Sequence, residues 1–536
     1  MPTHEVLNQA PPLQDHDPFA LDLVLQETLR REGAAWAEEE VGEFARRSGS
    51  RETIAWGFQA NENPPRLRTH DRFGNRIDEV EFHPAWHELM RLSIAHGVHA
   101  GPWREPREGA HVARAARMML VSQTEAGHGC PISMTYSAFP ALQRQPELLE
   151  EWGPHIVSLS YDPRMLPVGQ KRGALIGMGM TEKQGGSDVR ANTTRAESLG
   201  GGAYALTGHK WFCSAPMSDA FLVLAQAPRG LSCFLLPRWT PDGERNRFHL
   251  QRLKDKLGNR SNASSEVEFD RAWARLVGEE GRGVQTILEM VNHTRLDCVI
   301  GAAAMMRQAL SQAMHHCAHR SAFGGKLAGH PLMRNVLADL ALESEAATTL
   351  MMRLARAYDR REQEAPFRRI ATAVAKFQVC KRASPMVCEA LECLGGNGYV
   401  EESILPRLYR EAPLNSIWEG SGNVICLDVL RAIHKEPQAR DALLAELRLS
   451  RGADRRLDAA LDAAEAQLIR PDEASARRLV ESLALSLQAA LLVQHAPAAV
   501  ADAFCATRLG GDHGTSFGTL PAAVNTAAIL ERAWPA

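Results

Sequence analysis

The spacing of apolar positions changes along the chain, and each change predicts a different kind of secondary structure. From about residue 23 to 170, apolar residues recur at i, i+3 and i+4, as in the segments 85–94 and 112–121, which predicts helices. From about residue 174, short apolar runs are separated by Gly, Asn, Asp and Pro. These runs predict strands at 203–206, 220–225, 232–236 and 265–269. Gly200, Gly201 and Gly202 predict a hairpin turn before the first of them.

Helical spacing returns after Gly281 and predicts long amphipathic helices over 284–317, 331–360 and 366–394. A polar hinge at 434–437 precedes a last helical block over about 440–536. The sequence therefore predicts a mainly α protein with a central β domain. We expect an N-terminal arm and helical domain (1–175), a β domain (176–280), a helical bundle (281–437) and a C-terminal helical extension (438–536).

Composition narrows the class of protein. The chain has 536 residues and a formal net charge of −3, so any contact with nucleic acid needs a local basic patch. Its ten cysteines form no CxxC pair, which is typical of reduced thiols in a cytoplasmic protein. The first residues lack the basic and then apolar pattern of a secretory signal. No apolar run reaches the roughly 18 residues of a membrane span, so we expect a soluble cytoplasmic protein.

Three stretches could carry chemistry. The loop Gly179–Val189 combines small residues with the hydroxyls of Thr181 and Ser187, which suits close backbone approach to a ligand. Its end lacks the Gly-Lys-Ser/Thr of a Walker loop, and by itself it is more often only a turn. In the second stretch, residues 209–214, Trp211 could cover one face of a flat heterocycle, although a tryptophan in the hydrophobic core is the usual interpretation.

The third stretch contains glycines 395, 396 and 398, which end a predicted helix, and then Glu419 in a small-residue turn between two helical segments. A glutamate in a loop is usually solvated, so Glu419 alone indicates no catalytic role.

Together these stretches resemble the acyl-CoA dehydrogenase family. The loop 179–191, the run 392–411 and the segment 320–327 match that family's patterns, and the resemblance covers about residues 80–435. The segments 82–87, 178–188, 252–263 and 417–423, with the helical extension, are typical of its AidB branch. The resemblance implies a helical domain, a β-barrel domain and a helical bundle. It also implies a homotetramer and double-stranded DNA as a further partner.

The resemblance further implies FAD, lying between the β domain and the bundle. The residues that match family positions at the flavin are Met178, Gly179, Met180, Thr181, Gly186, Ser187, Trp211, Phe212, Cys213 and Ser214. Arg320 and Phe323 match residues that reach FAD from a neighbouring subunit. Other positions implied near the cofactor are Gly395, Gly396, Gly398, Trp418, Gly420 and Asn423.

Glu419 matches the family's catalytic base, which removes the α-proton of an acyl thioester while the β-hydrogen leaves as hydride. Some relatives, including isovaleryl-CoA dehydrogenases, carry the base on an earlier helix, where this chain has Thr294. Cys213 replaces a common threonine and Glu392 a common glutamine. These departures predict weak turnover of acyl-CoA.

Two other clusters contain residue types that bind metal ions or nucleic acid. His315 and His319 stand at i and i+4, yet no carboxylate follows at a matching spacing, so we predict no metal site. Arg448, Arg451, Arg455 and Arg456 fall at helical spacings that could form one basic, DNA-binding face. Residues 441–536 nevertheless hold nine basic against twelve acidic residues. Two functions stay open: an acyl-CoA dehydrogenase of metabolism, and a DNA-associated flavoprotein of the alkylation damage response.

Overall fold

A computed structural model describes residues 3–534. The first two residues of the predicted N-terminal domain and the last two of the predicted C-terminal extension lie outside the described residues. The chain forms two compact units. The β unit comprises Glu52–Pro106 and Thr124–Thr294, and the helical unit comprises Met1–Arg51, Arg107–Gln123 and Arg295–Ala536. Among the described residues, no helix has both the length and the apolar character needed to cross a membrane.

The first 156 residues contain eight α-helices among those described and one hairpin. The helices are α1 (Leu23–Leu29), α2 (Glu38–Ser48), α3 (Arg51–Glu62), α4 (Pro84–Ala95), α5 (Gly101–Arg104), α6 (Ala110–Thr124), α7 (Gly129–Leu142) and α8 (Pro146–Ile156). The antiparallel hairpin of β1 (Arg66–His70) and β2 (Arg76–Glu81) corrects the prediction of an all-helical block. Its charged strands carry little apolar periodicity, and the Asp71 carboxylate accepts hydrogen bonds from Phe73 and Asn75 to close the turn.

The central strands are confirmed and form a closed sheet within the β unit. They are β3 (Ile176–Gly179), β4 (Arg195–Gly200), β5 (Ala203–Ser214), β6 (Ala220–Ala227), β7 (Gly230–Pro237), β8 (Phe248–Leu253) and β9 (Ser264–Val277). The order β6-β4-β5-β9-β7 returns to β6, while β3 joins β6 and β8 joins β9. Gly200, Gly201 and Gly202 all have positive φ and turn the chain between β4 and β5, as predicted.

The barrel closes around an apolar interior. Phe221, Phe234, Phe248 and Phe269 pack together there with Leu206 and are buried. The run 220–225 of β6 is buried on both faces, which explains why its sequence is continuously apolar rather than alternating.

The remaining chain is helical apart from one small hairpin. Its elements are α9 (Gly283–His319), β10 (Ser321–Ala322), β11 (Gly325–Lys326), α10 (Pro331–Asp359), α11 (Ala365–Glu392), α12 (Gly396–Tyr399), α13 (Leu405–Glu411), α14 (Gly422–Lys435), α15 (Pro437–Arg448), α16 (Arg455–Ile469), α17 (Ala476–His495), α18 (Ala498–Phe504) and α19 (Thr526–Ala533). Helices α10 and α11 pack on each other and on α17. Helix α11 also packs on α15, and helix α10 packs on α19. The C-terminal helices are thus part of the helical unit's core.

Candidate functional site

Within the β unit, a buried ion pair supports the loop that follows β3. Glu182 Oε1 accepts a hydrogen bond from Lys210 Nζ at 2.8 Å, and both side chains are 0% exposed. The Glu182 carboxylate also accepts hydrogen bonds from the backbone N–H groups of Thr193 (2.7 Å) and Thr194 (3.1 Å). Burial opposes ionisation, but the charge of Lys210 and these donors hold the pKa of Glu182 well below its usual range. The loop is therefore anchored at its base by a charged carboxylate.

The same loop joins Thr181 to Trp211. The backbone N–H of Trp211 donates to the Thr181 carbonyl at 2.8 Å, which sets the two residues side by side. A Cβ on Gly186 would clash with the Thr181 hydroxyl, so only glycine fits this close approach. In the described part of the chain, the N–H groups of Gly186 and Ser187 donate to no protein acceptor, and both residues are exposed. The loop thus presents a hydroxyl and free backbone donors. Met178 and Gly179 lie on β3 and Met180 follows it.

Trp211 is half-buried on β5, and positive charge surrounds its ring. Lys254 Nζ lies 3.2 Å from the ring centroid, and the Arg252 guanidinium lies 5.7 Å from it. Both cations are paired with the Glu266 carboxylate at 2.6 Å. The neighbouring Phe212 is exposed. Lys254 lies over the ring and not beside it, and these cations suit a ligand that carries anionic groups.

Cys213 and Ser214 end the same strand with different surroundings. The Cys213 thiol packs in the barrel core, where burial raises its pKa to about 12. It is therefore a neutral, apolar group near neutral pH. Ser214 is half-buried, and its hydroxyl lies 3.5 Å from that of Ser264.

Within the helical unit, Glu419 lies in a tight turn before α14. Its φ is +58° and that of Gly420 is +107°. A glutamate rarely adopts this left-handed conformation, which costs about 1–2 kcal/mol. Such strain persists only where the surrounding structure enforces it, and it is concentrated at functional sites.

Two buried cations hold this turn by its carbonyls. Lys376 Nζ, on α11, donates to the Gly420 carbonyl at 2.6 Å, and the side chain is 1% exposed. Arg295 Nε, on α9, donates to the Glu419 carbonyl at 3.0 Å. Asp428 holds Arg295 in turn, at 2.7 Å. The Glu419 side chain itself is half-buried, so the turn presents a carboxylate on a fixed backbone.

The residues on either side of Glu419 are also fixed. Trp418 Nε1 donates to Asn415 Oδ1 at 2.9 Å, and Asn423 Oδ1 accepts from the Arg477 guanidinium at 2.8 Å. Thr294, where some relatives carry the base, is buried and donates its hydroxyl to the Val291 carbonyl. Thr294 has no carboxylate of its own, so it cannot take the role proposed for Glu419.

The glycine cluster after α11 forms a sharp helix end. Gly395 has φ +59°, and a Cβ on Gly398 would clash with the Leu391 carbonyl. Space around Gly395 and Gly396 is open, with no described atom within 4 Å of a Cβ added at either. The cluster thus exposes backbone that a ligand can approach closely.

Arg320 and Phe323 lie at the β10–β11 hairpin. Phe323 and Gly324 form its turn with φ +51° and +81°, and the Phe323 side chain is 98% exposed. The Arg320 guanidinium donates to the Asn8 carbonyl. An aromatic residue that is both strained and fully exposed is suited to contact another molecule.

His315 and His319 both hydrogen-bond to backbone carbonyls of the protein. His315 Nε2 hydrogen-bonds the Pro11 carbonyl and His319 Nδ1 the His315 carbonyl, both at 2.8 Å. Within residues 3–534, no group of three or more His, Cys, Asp or Glu is arranged to hold a metal ion.

The arginines at 448–456 do not lie on one helix. Arg448 ends α15, Arg451 lies in the following turn, and Arg455 and Arg456 begin α16. Gly452 has φ +86° and interrupts the helical backbone between them. Arg448 pairs with Glu465, Arg451 with Asp462 and Glu465, and Arg456 with Asp454 and Asp502.

Sequence reasoning missed the residues that brace both loops: Glu182, Lys210, Arg295 and Lys376. One signal was available for Lys376, which interrupts the apolar run Ala373–Phe377. A lysine in such a run must find a partner when it is buried.

Comparison with known proteins covers most of the chain. Residues 8–163 match the adaptive response protein AidB N-terminal domain, residues 177–272 the acyl-CoA dehydrogenase middle domain and residues 281–434 the acyl-CoA dehydrogenase C-terminal domain. The AidB protein of Escherichia coli (strain K12), whose name describes it as an acyl-CoA dehydrogenase, is 51% identical to this chain. The match covers 95% of this chain and 94% of the Escherichia coli protein. Acyl-CoA dehydrogenase family member 11 of Caenorhabditis elegans is 33% identical over 78% of this chain and 70% of its own.

A solved structure agrees. That of Caenorhabditis elegans ACDH-11 in complex with C11-CoA has a TM-score of 0.84 and 28% identity, covering 95% of this chain and 92% of that one. Members of this family depend on FAD. The chain therefore belongs to the acyl-CoA dehydrogenase family of oxidoreductases, within its AidB branch.

Proposed function

We propose that this chain binds FAD and catalyses α,β-dehydrogenation of an acyl thioester, with Glu419 as the base. The observation that carries the proposal is the turn at Glu419. A carboxylate stands on a left-handed backbone whose carbonyls are held by Arg295 and Lys376. Strain enforced by buried side chains is expected of a catalytic group.

In this reaction, Glu419 takes the proton from the carbon next to the thioester carbonyl. Bound FAD would supply the acceptor for the hydride that leaves the next carbon, so that the two carbons end joined by a double bond. The proton then rests on the Glu419 carboxyl. Arg295 and Lys376 hold the backbone so that the carboxylate keeps one direction through the cycle.

The residues of the β unit fit a flavin. Trp211 offers an aromatic face, the hydroxyls of Thr181 and Ser214 offer polar contacts, and Gly186 and Ser187 offer free N–H donors. Cations beside Trp211 suit an anionic cofactor. These features support the assignment of residues 178–187 and 211–214 to the flavin ring.

The hairpin of Arg320 and Phe323 supports assembly into a homotetramer. Phe323 is strained and almost completely exposed, so burial against a second copy of the chain explains why an apolar ring occupies this turn. Arg320 on the same hairpin would then reach the cofactor of that copy. Gly395, Gly396, Gly398, Trp418, Gly420 and Asn423 are assigned to the rest of the cofactor in the same proposal.

We propose an acyl-CoA substrate, because a structural neighbour was solved with C11-CoA. Isovaleryl-CoA is the second candidate. We expect slow turnover, because Cys213 buries its thiol in the barrel core and offers at most a weak hydrogen bond where a threonine is common.

The test is anaerobic mixing of the purified flavoprotein with undecanoyl-CoA and with isovaleryl-CoA while flavin absorbance is recorded. We expect bleaching with wild type and none with Glu419→Gln, which keeps the size of the side chain but cannot take a proton. Equal bleaching in both proteins would reject Glu419 as the base. A wild-type flavin that neither ligand perturbs would reject the acyl-CoA assignment.

A second proposal is a role in the adaptive response to alkylation, with binding of duplex DNA. Its support is the match to the AidB N-terminal domain and to Escherichia coli AidB. The C-terminal arginines support it less, because carboxylates already pair three of the four, leaving Arg455. DNA affinity should fall with salt and when all four are changed to glutamine. Unchanged affinity and salt slope in that variant would exclude this surface.

A further inference from the structure

The C-terminal helices reach the segment that the proposed function assigns to FAD. Helix α17 packs on α10, α11 and α14 through buried leucines, and its first turn carries Arg477. The Arg477 guanidinium donates to Asn423 Oδ1 at 2.8 Å and lies 5.4 Å from the centroid of the Phe377 ring. Among residues 3–534, no carboxylate lies within salt-bridge distance of Arg477. Asn423 is therefore its polar partner.

This contact determines which end of the Asn423 amide remains available for a ligand. An arginine can only donate hydrogen bonds, so it fixes the amide oxygen of Asn423 toward itself. The amide nitrogen, which has no acceptor within residues 3–534, is then left as a donor. Asn423 stands in the first turn of α14, where backbone N–H groups also lack partners within the helix. A donor in this position suits oxygen atoms of an anionic ligand.

Positive charge is concentrated at the same place. A Cβ on Gly422 would lie 3.1 Å from Lys381 Cε and 3.5 Å from the Arg477 guanidinium, so the two cations flank this glycine. Both side chains are exposed, and neither is paired with a carboxylate in the described part of the chain. The pair can therefore interact with a diphosphate without first breaking an ion pair.

We propose that Arg477, from the C-terminal extension, is a positioning residue for the cofactor: it orients Asn423 as a donor to FAD and adds positive charge beside it. This inference rests on the proposed function. It also makes the extension a contributor to the flavin site, so that displacement of α17 would weaken the hold on FAD.

The test is titration of FAD into full-length apoprotein, followed by FAD fluorescence, for wild type, Arg477→Ala, Arg477→Lys and Arg478→Ala. Arg478 is the matched control, because it is an exposed arginine at the next position of α17 with no described contact. We expect about a tenfold higher Kd for Arg477→Ala, which is the usual effect of losing a hydrogen bond to a charged group. Arg477→Lys should lose less, and Arg478→Ala less than twofold.

Asn423→Ala, alone and combined with Arg477→Ala, distinguishes orientation from a general effect of charge. If Arg477 acts through Asn423, the double variant binds FAD about as weakly as the weaker single variant. Thermal unfolding of the apoproteins should change little, since the contact between Arg477 and Asn423 is exposed and contributes little to stability. Wild-type affinity in Arg477→Ala, or equal losses in Arg477→Ala and Arg478→Ala, would overturn this inference and leave the proposed function standing. A wild-type protein that binds no FAD would overturn both.

Discussion

The loop 179–188 of the β unit and the turn 417–423 of the helical unit are each held by a buried lysine, but in different ways. Lys210 donates to the Glu182 carboxylate, which itself gathers backbone N–H groups. Lys376 donates directly to the Gly420 carbonyl. The first lysine neutralises a side chain that anchors a loop, and the second holds the backbone itself.

The difference follows from the conformation each segment must keep. In 179–188 only Gly185 has positive φ, so the loop needs an anchor but stores little strain. In 417–423 a glutamate has φ +58°, and the backbone must be held at the point of strain. A carboxylate brace leaves a buried charge when its lysine is removed, whereas a carbonyl brace leaves a neutral group. The two loops should therefore respond very differently to the same substitution.

Lys210→Met gives the largest expected effect. It leaves Glu182 as an uncompensated buried charge and should lower the free energy of unfolding by about 3–5 kcal/mol. Urea unfolding followed by circular dichroism at pH 7 measures this loss. Adding Glu182→Gln removes the stranded charge, so the double variant should recover much of it. A single variant as stable as wild type would show that the carboxylate does not depend on Lys210.

Lys376→Met should cost less, about 1–3 kcal/mol, because only a carbonyl loses its donor. It should also slow substrate-dependent flavin bleaching, because the Glu419 backbone is no longer fixed. Urea unfolding and the rate of anaerobic bleaching measure the two effects. Lys435→Met, at an exposed lysine that ends α14, is the control and should change neither. A loss as large as that of Lys210→Met would remove the distinction between the two braces.

The stability contributed by the two buried lysine contacts should also differ in its dependence on pH. The pKa of Glu182 is lower in the folded protein than in an ordinary glutamate, so its contribution to stability is fully present above about pH 4.3 and is lost as the pH falls. Each pKa unit is worth about 1.4 kcal/mol. Between pH 7 and pH 3, Glu182→Gln should therefore lose less stability than wild type. Lys376→Met should parallel wild type, because a carbonyl does not titrate there.

Much of the fold followed from local pattern. Continuous apolar runs predicted β6 and β7, three glycines predicted the β4–β5 turn, and helical spacing predicted α9 to α11 within a few residues. The β1–β2 hairpin was missed because its strands are charged. The arginines at 448–456 have helical spacing in the sequence, although Gly452 and the N-cap Asp454 mark a break between two helices.

Local sequence patterns do not predict the buried lysines that hold the two segments of the candidate site. A lysine is exposed by default, so Lys210 and Lys376 predict nothing until a partner distant in sequence buries them. Glu182 lies 28 residues from Lys210, and Gly420 lies 44 residues from Lys376. Such pairings depend on tertiary packing. The left-handed conformation of Glu419 was equally hidden, because sequence favours Gly, Asn or Asp there.

Glu419→Gly is expected to have the smallest effect and the opposite sign. Glycine adopts φ +58° without strain, which relieves about 1–2 kcal/mol, but its unfolded state is more flexible by about 0.5–1 kcal/mol. Relative to Glu419→Ala, which keeps the strain, the glycine variant should be more stable by about 0.5–1 kcal/mol in urea unfolding. Both variants should lose substrate-dependent bleaching. The same Ala-to-Gly comparison at Thr181, whose φ is negative, should favour alanine. A glycine variant less stable than Glu419→Ala would mean that the turn is unstrained, and the reason for bracing it by its carbonyls would no longer hold.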